Sequence, residues 1–316
     1  MVARKALGHW GLEGCAVALM AERENSVWRV DTATGSLAMR VHRPGYRSLA
    51  ELRSELDWMT MLDKGGLPVA RPVTARDRQK CVVIDGFAID VLEWIDATPL
   101  GASGSVIALE NPVEVFLSVG ETMAWMHDLS DAWVLPEDFA RPAWDLEGLL
   151  GENPLWGRFW ENPRLAPDES RLLLAARERA REELAALSGE LDHGLVHADL
   201  VPENVMFDGR EIHMIDFDDG GFGFRLFDLA TTMNRLERID LSGEWANALL
   251  EGYRRRRQID TRFLGLFQLL RSFTYVGWIV PRMAEPGSRE RNARFIDEAC
   301  RRAAEYMRTS KGGVHG

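Results

Sequence analysis

The sequence has few cysteines. Three occur in 316 residues, at Cys15, Cys81 and Cys300. An odd and widely spaced set predicts neither a disulfide framework nor a cysteine metal cluster. We therefore expect a reducing compartment, which indicates a cytoplasmic location.

Long apolar runs are also missing. Lys5, His9 and Glu13 interrupt the N-terminal segment, which predicts that no signal peptide is present. The longest late apolar stretch, 273–280, is too short to cross a bilayer and has arginines on either side. These features predict no insertion into a membrane.

Basic residues are outnumbered by acidic ones, 38 lysines and arginines against 49 aspartates and glutamates. The formal net charge is -11 and the isoelectric point is near 5.2, so the average surface repels a phosphate backbone. The arginine run 254–257 is best interpreted as one end of a solvated helix. Nucleic acid is therefore not expected as a partner.

The first ninety residues have the pattern of a small antiparallel sheet crossed by one helix. Leucines and methionines at three- and four-residue spacing predict a helix over 47–64, with Ser48 as its cap and Gly65 after its end. Short apolar or alternating runs predict the strands 15–20, 27–31, 37–41, 69–73, 80–84 and 87–94.

After residue 95 the pattern becomes helical. We predict helices over 113–129, 172–191 and most of 226–310, with loops and short helices over 130–168. The sequence therefore predicts an α+β protein, with a nucleotide-binding lobe over 1–96 and a mainly helical lobe over 97–316.

The most informative pattern lies between residues 197 and 219. It reads His197-x-Asp199-Leu200-x-x-x-Asn204, followed by Asp216-Phe217-Asp218. Protein kinases space a base, an amide and a metal-binding aspartate in the same way. Asp199 is the predicted base, Asn204, Asp216 and Asp218 are the predicted Mg²⁺ ligands, and His197 is a predicted structural residue. Each alone could be an ordinary loop residue, but their order together predicts transfer of a nucleotide γ-phosphate.

Residues 194–233 resemble the aminoglycoside phosphotransferase and choline kinase superfamily. The likeness is strongest to the branch with homoserine kinase type II and bacterial stress-response serine/threonine kinases. The resemblance implies a bilobal, protein-kinase-like fold with a helical acceptor pocket. It also implies that Asp199 is the base, that Asn204 and Asp216 bind Mg²⁺, and that Asp228 supports the catalytic loop.

The N-terminal segment extends the resemblance. Segment 24–30 resembles the nucleotide-covering hairpin, where Ser26 would face the phosphates. Arg40 stands where the family usually has lysine, and Glu55 is its predicted partner; an ordinary surface pair is the alternative. Arginine keeps the charge but presents a planar fork. Glu93 and Ile95 lie in the segment that resembles the adenine-binding hinge.

These observations predict an ATP- and Mg²⁺-dependent kinase that phosphorylates a hydroxyl of a small molecule. Asp219 is a candidate contact for a cationic acceptor, and several large side chains could form the acceptor pocket: Trp156, Trp160, Arg271, Tyr275 and Trp278. Two alternatives stay open at this point. One is a protein serine/threonine kinase of the stress-response type, and the other is a kinase-fold module that binds nucleotide without transferring phosphate.

Overall fold

The structure is a computed structural model that describes residues 2–22, 25–102, 109–187 and 189–309. The chain divides into two compact units. The first comprises Met1–Ala108, Thr122–Arg141 and Pro202–Asp218, and the second comprises Leu109–Glu121, Pro142–Val201 and Asp219–Gly316. Because these units interleave along the chain, the functional boundary after residue 96 stays a prediction.

The first unit contains a five-stranded antiparallel sheet in the order β1-β2-β3-β5-β4. Its strands are β1 (Ala16–Glu22), β2 (Asn25–Thr32), β3 (Gly35–His42), β4 (Cys81–Ile84) and β5 (Phe87–Glu93). The register places Arg40 of β3 opposite Asp90 of β5. This pairing brings two charged residues to one point of a largely apolar sheet.

Two α-helices lie wholly within the described part of this unit. Helix α1 (Val2–Trp10) buries Ala3, Ala6 and Leu7 in the same apolar cluster as Val30 and Ile89 of the sheet. Helix α2 spans Leu49–Lys64, and Ser48 and Glu51 form a reciprocal capping box at its start. The cap confirms the predicted start of α2, whereas α1 was missed.

A second, smaller sheet of the first unit pairs strands in the order β10-β9-β6. It consists of β6 (Thr98–Pro99), β9 (Val205–Phe207) and β10 (Ile212–Met214). The strand predicted over 69–73 was wrong. The backbone there makes only isolated pairs, between Val69 and Met214 and between Pro72 and Leu92, because the prolines Pro68 and Pro72 interrupt its ladder.

The second unit is mainly helical. A small sheet in the order β7-β11-β8 contains β7 (Ala143–Trp144), β8 (His193–Val196) and β11 (Gly221–Phe224). The helices are α4 (Leu146–Leu150), α5 (Pro167–Leu187), α6 (Arg225–Ile239), α7 (Glu244–Arg256), α8 (Leu264–Trp278) and α9 (Ser288–Thr309). Helix α3 (Pro112–Ala132) runs through the division between the units.

Two glycines allow α3 and α7 to approach closely. A Cβ atom on Gly120 would lie 1.9 Å from the carbonyl oxygen of Leu249, and one on Gly252 would lie 1.9 Å from that of Leu117. A larger residue at either position would force the two helices apart. Within the described part of the chain, no helix has the length and apolar character needed to cross a membrane.

The predicted α+β class is confirmed by this combination of antiparallel sheet and helices.

Candidate active site

Asp199 lies in a strained loop that follows strand β8. The preceding residue, Ala198, has a φ of 64°, a left-handed conformation that costs a non-glycine residue about 1–3 kcal/mol. Asp228 of α6 holds this turn, because its carboxylate accepts the backbone N–H groups of His197 at 2.8 Å and of Ala198 at 2.7 Å. Thr232, one turn further along α6, donates to the carbonyl of Leu200 at 2.6 Å. The contacts of Asp228 are those expected of a support for the catalytic loop.

Arg271 of α8 binds the carboxylate of Asp199. Its guanidinium donates to Asp199 Oδ1 at 2.5 Å, to the Ala198 carbonyl at 3.0 Å and to the Tyr275 hydroxyl at 2.8 Å. The guanidinium is fully buried and lies 4.6 Å from the Trp156 ring and 4.3 Å from the Tyr275 ring. A cation fixed by so many contacts also fixes the carboxylate that it binds.

The ionisation of Asp199 is tuned by its surroundings. Burial raises the pKa of Asp199 to about 7, and the neighbouring charge of Asp219 adds to the rise while Arg271 and Arg235 oppose it. The side chain keeps 23% of its surface exposed, so a reactant can reach it. A carboxyl group with a pKa near neutrality is suited to accept a proton from a hydroxyl group.

Four of the five residues predicted for the acceptor pocket lie together. Trp156, Arg271 and Tyr275 are in mutual contact, and the Trp278 ring lies 6.1 Å from that of Trp156. Trp160 instead packs against the guanidinium of Arg177, 4.1 Å from its ring centre. That Trp156, Arg271, Tyr275 and Trp278 form the wall of an acceptor pocket stays a prediction. Trp160 has a separate packing role.

Asp219 is fixed by two indole groups. Its carboxylate accepts the Trp156 Nε1–H at 3.3 Å, and its carbonyl accepts the Trp144 Nε1–H at 2.8 Å. Since Asp219 also acts electrostatically on Asp199, a second negative charge lies close to the predicted base.

Arg40 is the centre of a buried charge network in the first unit. Its Nε and Nη2 donate to the two oxygens of Asp90 at 2.8 and 3.0 Å, and its Nη1 donates to Glu55 at 2.7 Å. His42 Nε2 lies 2.5 Å from Asp90 Oδ2. The structure therefore brings Arg40 and Glu55 together as an interior pair and not a surface pair, while their role towards a nucleotide stays a prediction.

Neither Asp90 nor His42 was predicted from the sequence as part of this charge network. Burial alone would raise the pKa of Asp90, but the charges of Arg40 and His42 outweigh it and lower that pKa to about 2. Burial likewise opposes ionisation of Glu55, and Arg40 and Arg141 more than compensate, which lowers its pKa. The available signal was an aspartate inside the otherwise apolar run 87–92.

Arg141 connects this network with the predicted metal loop. Its Nη2 donates to the carbonyls of Phe217 and Asp218 at 2.8 and 2.6 Å, and its Nη1 lies 3.5 Å from Glu55 Oε2. Phe217 also packs edge-on against Trp58 of α2, at 5.1 Å between ring centres. These contacts fix the backbone of residues 217–218 against helix α2.

Asn204 and Asp216 lie on neighbouring segments. Asn204 ends a short 3₁₀ turn before β9, and the N–H of Ile215 donates to its carbonyl at 3.0 Å. Asp216 has a φ of 66°, another left-handed residue in a loop. Asp218 is 5% exposed, and its Oδ1 lies 3.9 Å from Arg47 Nε.

The donor chemistry of these residues is compatible with Mg²⁺. The described residues include no cluster of three or more His, Cys, Asp or Glu side chains arranged for a metal ion. An amide oxygen and a carboxylate are nevertheless a sufficient protein contribution for Mg²⁺, since that ion keeps waters and binds substrate phosphates. Metal binding by Asn204, Asp216 and Asp218 stays a prediction.

The remaining predicted nucleotide contacts lie in the first unit. Ser26 of β2 pairs with Val41 of β3, and Glu24, which begins the predicted hairpin, is outside the described residues. Glu93 and Ile95 line a cavity of about 450 Å³. Its other acidic lining residues are Asp63, Asp96, Asp208 and Glu211. The hinge assignment concerns backbone contacts with adenine, which this side-chain lining does not test, so it stays a prediction.

Comparison with known proteins identifies the family of this chain. A model of the phosphotransferase enzyme family matches residues 17–266. The chain belongs to this family. A homoserine kinase from Pseudomonas aeruginosa is 31% identical over 243 residues, which cover 74% of this chain and 69% of that protein.

Solved structures agree with the family. A microcompartment-associated aminopropanol kinase is 28% identical, with a TM-score of 0.85 over 99% of this chain and 98% of that one. The amicoumacin kinase hAmiN, solved in complex with AMP-PNP, Ca²⁺ and Ami, is 21% identical with a TM-score of 0.76, covering 95% of this chain and 92% of that one. The predicted family, kinase-like fold and small-molecule phosphotransferase activity are thereby confirmed.

Proposed function

We propose that this phosphotransferase moves the γ-phosphate of ATP to the hydroxyl group of a small amino alcohol, with Asp199 as the base. The observation that carries the proposal is the state of Asp199, a partly exposed carboxylate held by Arg271 in a strained loop, with a pKa raised to about 7. Geometry and ionisation both suit proton transfer from an alcohol.

Different residues of the chain have separate roles in the proposed reaction. Asp199 orients the acceptor hydroxyl and takes its proton, while Arg271 and Asp228 keep the base in place. Asn204 and Asp216 would hold Mg²⁺, with Asp218 as a further candidate, and the metal supplies charge that neutralises the phosphate oxygens. Arg40, held by Asp90 and Glu55, would add positive charge on the nucleotide side, together with Ser26, Glu93 and Ile95.

The acceptor class rests on the relatives and on Asp219. Homoserine and aminopropanol, named for two similar kinases, both carry a hydroxyl group and an amino group. A carboxylate fixed beside the base, as Asp219 is, would attract the ammonium group of such a molecule. Small-molecule kinases among the relatives favour this proposal over a protein kinase. Consumption of ATP is also consistent with a cytoplasmic location, which we propose as well.

The proposal is tested with the full chain, ATP and Mg²⁺. The acceptors are 3-aminopropan-1-ol and homoserine, with propylamine as the control without a hydroxyl group and propan-1-ol as the control without an amino group. We expect phosphomonoester products, seen by ³¹P NMR, from the two amino alcohols only. Phosphorylation of a serine-containing peptide, with no reaction of any amino alcohol, would instead support the protein kinase alternative.

A further inference from the structure

Arg141 is a buried link between helix α2 and the predicted metal loop, residues 216–218. Its side chain is fully buried in the first unit. One guanidinium nitrogen, Nη2, donates to the carbonyls of Phe217 and Asp218 at 2.8 and 2.6 Å. The other, Nη1, lies 3.5 Å from Glu55 Oε2 on α2. A single side chain therefore binds both the loop and the helix.

Other hydrogen bonds fix the region around Arg141 to the same helix. Arg141 Nη1 also donates to the carbonyl of Glu51, in the first turn of α2, at 3.1 Å. The backbone N–H of Ala140 donates to the buried Ser54 Oγ at 2.9 Å. The ring of Phe217 packs against α2 as well. Both the backbone and the side chain at position 141 are thus held in place, which makes the guanidinium a fixed support for the loop.

The loop that Arg141 holds is strained. Asp216 directly precedes the two carbonyls that the guanidinium binds, and its φ of 66° is a left-handed conformation. This conformation costs a residue other than glycine about 1–3 kcal/mol and persists only where neighbouring contacts hold the backbone. The hydrogen bonds from Arg141 are contacts of this kind, because they fix the carbonyls of the next two residues. The backbone from which the Asp216 carboxylate projects is therefore held by Arg141.

Arginine is suited to this position by its shape. Its planar guanidinium presents donors in two directions, so Arg141 reaches the loop on one side and α2 on the other. The ammonium group of lysine and the amide group of glutamine each carry their donors on one nitrogen atom. Glu55, which also accepts from Arg40 at 2.7 Å, supplies a buried negative charge near the guanidinium. Replacement of Arg141 by lysine or glutamine should therefore loosen the loop.

We propose that Arg141 is a positioning residue for Mg²⁺, which holds the backbone of the metal loop against α2 so that the Asp216 carboxylate is placed to bind the ion. Arg141 acts through Asp216 and contacts neither the ion nor the nucleotide. Residues that orient a metal ligand change metal affinity by about 10–100-fold when they are replaced. This inference rests on the proposed function, in which Asp216 is a ligand of Mg²⁺.

The test measures nucleotide binding by the full chain with and without the metal. The quantity is the Kd for AMP-PNP in EDTA divided by the Kd for AMP-PNP in Mg²⁺, from isothermal titration calorimetry, in the wild type, R141Q and R141K. R177Q is the matched control, because Arg177 is a buried arginine of the second unit that donates to the carbonyls of Leu150 and Gly151 at 3.0 and 3.1 Å. Thermal unfolding gives the stability of each variant.

We expect the wild-type ratio to exceed about 10, and we expect R141Q to lower it about tenfold, as for other residues that orient a metal ligand. R141K keeps the charge without the planar fork and should lower the ratio less. R177Q should leave the ratio unchanged, even where it lowers the unfolding temperature as much as R141Q does. In the transfer assay, R141Q should raise the Mg²⁺ concentration for half-maximal rate and leave KM for 3-aminopropan-1-ol unchanged.

Three results would overturn the inference. The first is a ratio that R141Q leaves at the wild-type value, and the second is an equal fall in R177Q. The third is weaker binding of AMP-PNP in EDTA with an unchanged ratio, because Arg141 would then act on the nucleotide through Glu55 and Arg40. If R141Q does not fold, R141K decides the test by the same criteria.

Failure of the inference and failure of the proposed function give different results. Phosphorylation of the amino alcohols, together with a ratio that R141Q does not change, rejects the role of Arg141 and leaves the function intact. If no acceptor is phosphorylated, the proposed function fails, but the ratio is still measurable. A fall of the ratio in R141Q and not in R177Q then supports the positioning role without the reaction, and an unchanged ratio rejects it.

Discussion

Replacement of Arg271 by glutamine should move the pH dependence of catalysis. The wild-type rate should fall as the pH drops through about 7, because the pKa of Asp199 is raised to about 7 and the base must be ionised. Arg271 opposes that rise, donating to Asp199 at 2.5 Å from a fully buried position. Its removal should therefore raise the pKa of Asp199 further.

The size of the effect follows from the contact. An opposite charge at this distance lowers the pKa of a carboxyl group by about 1–3 units, so R271Q should place the pKa of Asp199 at roughly 8–10. The ionised fraction at pH 7 would then fall about 5-fold to 500-fold. Activity should return as the pH rises through the raised pKa, since the carboxyl group of Asp199 then ionises again. R271K, which keeps a cation, should shift the profile less.

The assay is kcat/KM for the acceptor between pH 5.5 and 10 at saturating ATP and Mg²⁺. R257Q is the matched control, because Arg257 is an arginine of the same unit that pairs with both oxygens of another aspartate, Asp192, at 2.8 Å. Its acid limb should stay in place. ATP binding and thermal unfolding confirm at each pH that the variants are folded. An equal loss of activity for R271Q at every pH would refute the reasoning and leave Arg271 a purely structural role.

Three further substitutions test separate parts of the account. R40K should lower the free energy of unfolding in urea by about 1–3 kcal/mol, because lysine cannot reproduce the paired hydrogen bonds to the buried Asp90. Adding D90N to R40K should restore part of the lost free energy of unfolding. D228N should lower kcat more than it raises KM for ATP, since an amide group accepts fewer of the N–H bonds that hold residues 197 and 198; an unchanged kcat would contradict this role. D216N should raise the Mg²⁺ concentration for half-maximal rate by about tenfold or more, and an unchanged requirement would remove Asp216 from the metal site.

The sequence predicted those parts of the candidate site that lie close together along the chain. Asp199, Asn204 and Asp216 fall within eighteen residues, so their spacing alone was informative. The cap at Ser48 was likewise predictable, because a capping box is a local pattern. These features depend on interactions over a few residues.

Contacts between residues far apart in the sequence were harder to predict. Asp90 meets Arg40 across fifty residues through the register of β3 and β5, and no local pattern fixes which residues of two strands become opposite. Arg141 lies in a stretch without periodicity, so its contacts with the loop at 217–218 had no signal. Arg271 was expected in the acceptor pocket, while its contact with Asp199 depends on how α8 packs.

The central claim is that Asp199 is the catalytic base, and D199N tests it most directly. Asparagine keeps the shape of the side chain but cannot accept a proton from the acceptor. Transfer of phosphate to 3-aminopropan-1-ol in a single turnover should be slower by about 100-fold or more, while the Kd for ATP stays within about twofold of the wild-type value because Asp199 acts on the acceptor. Wild-type transfer by D199N would contradict the account.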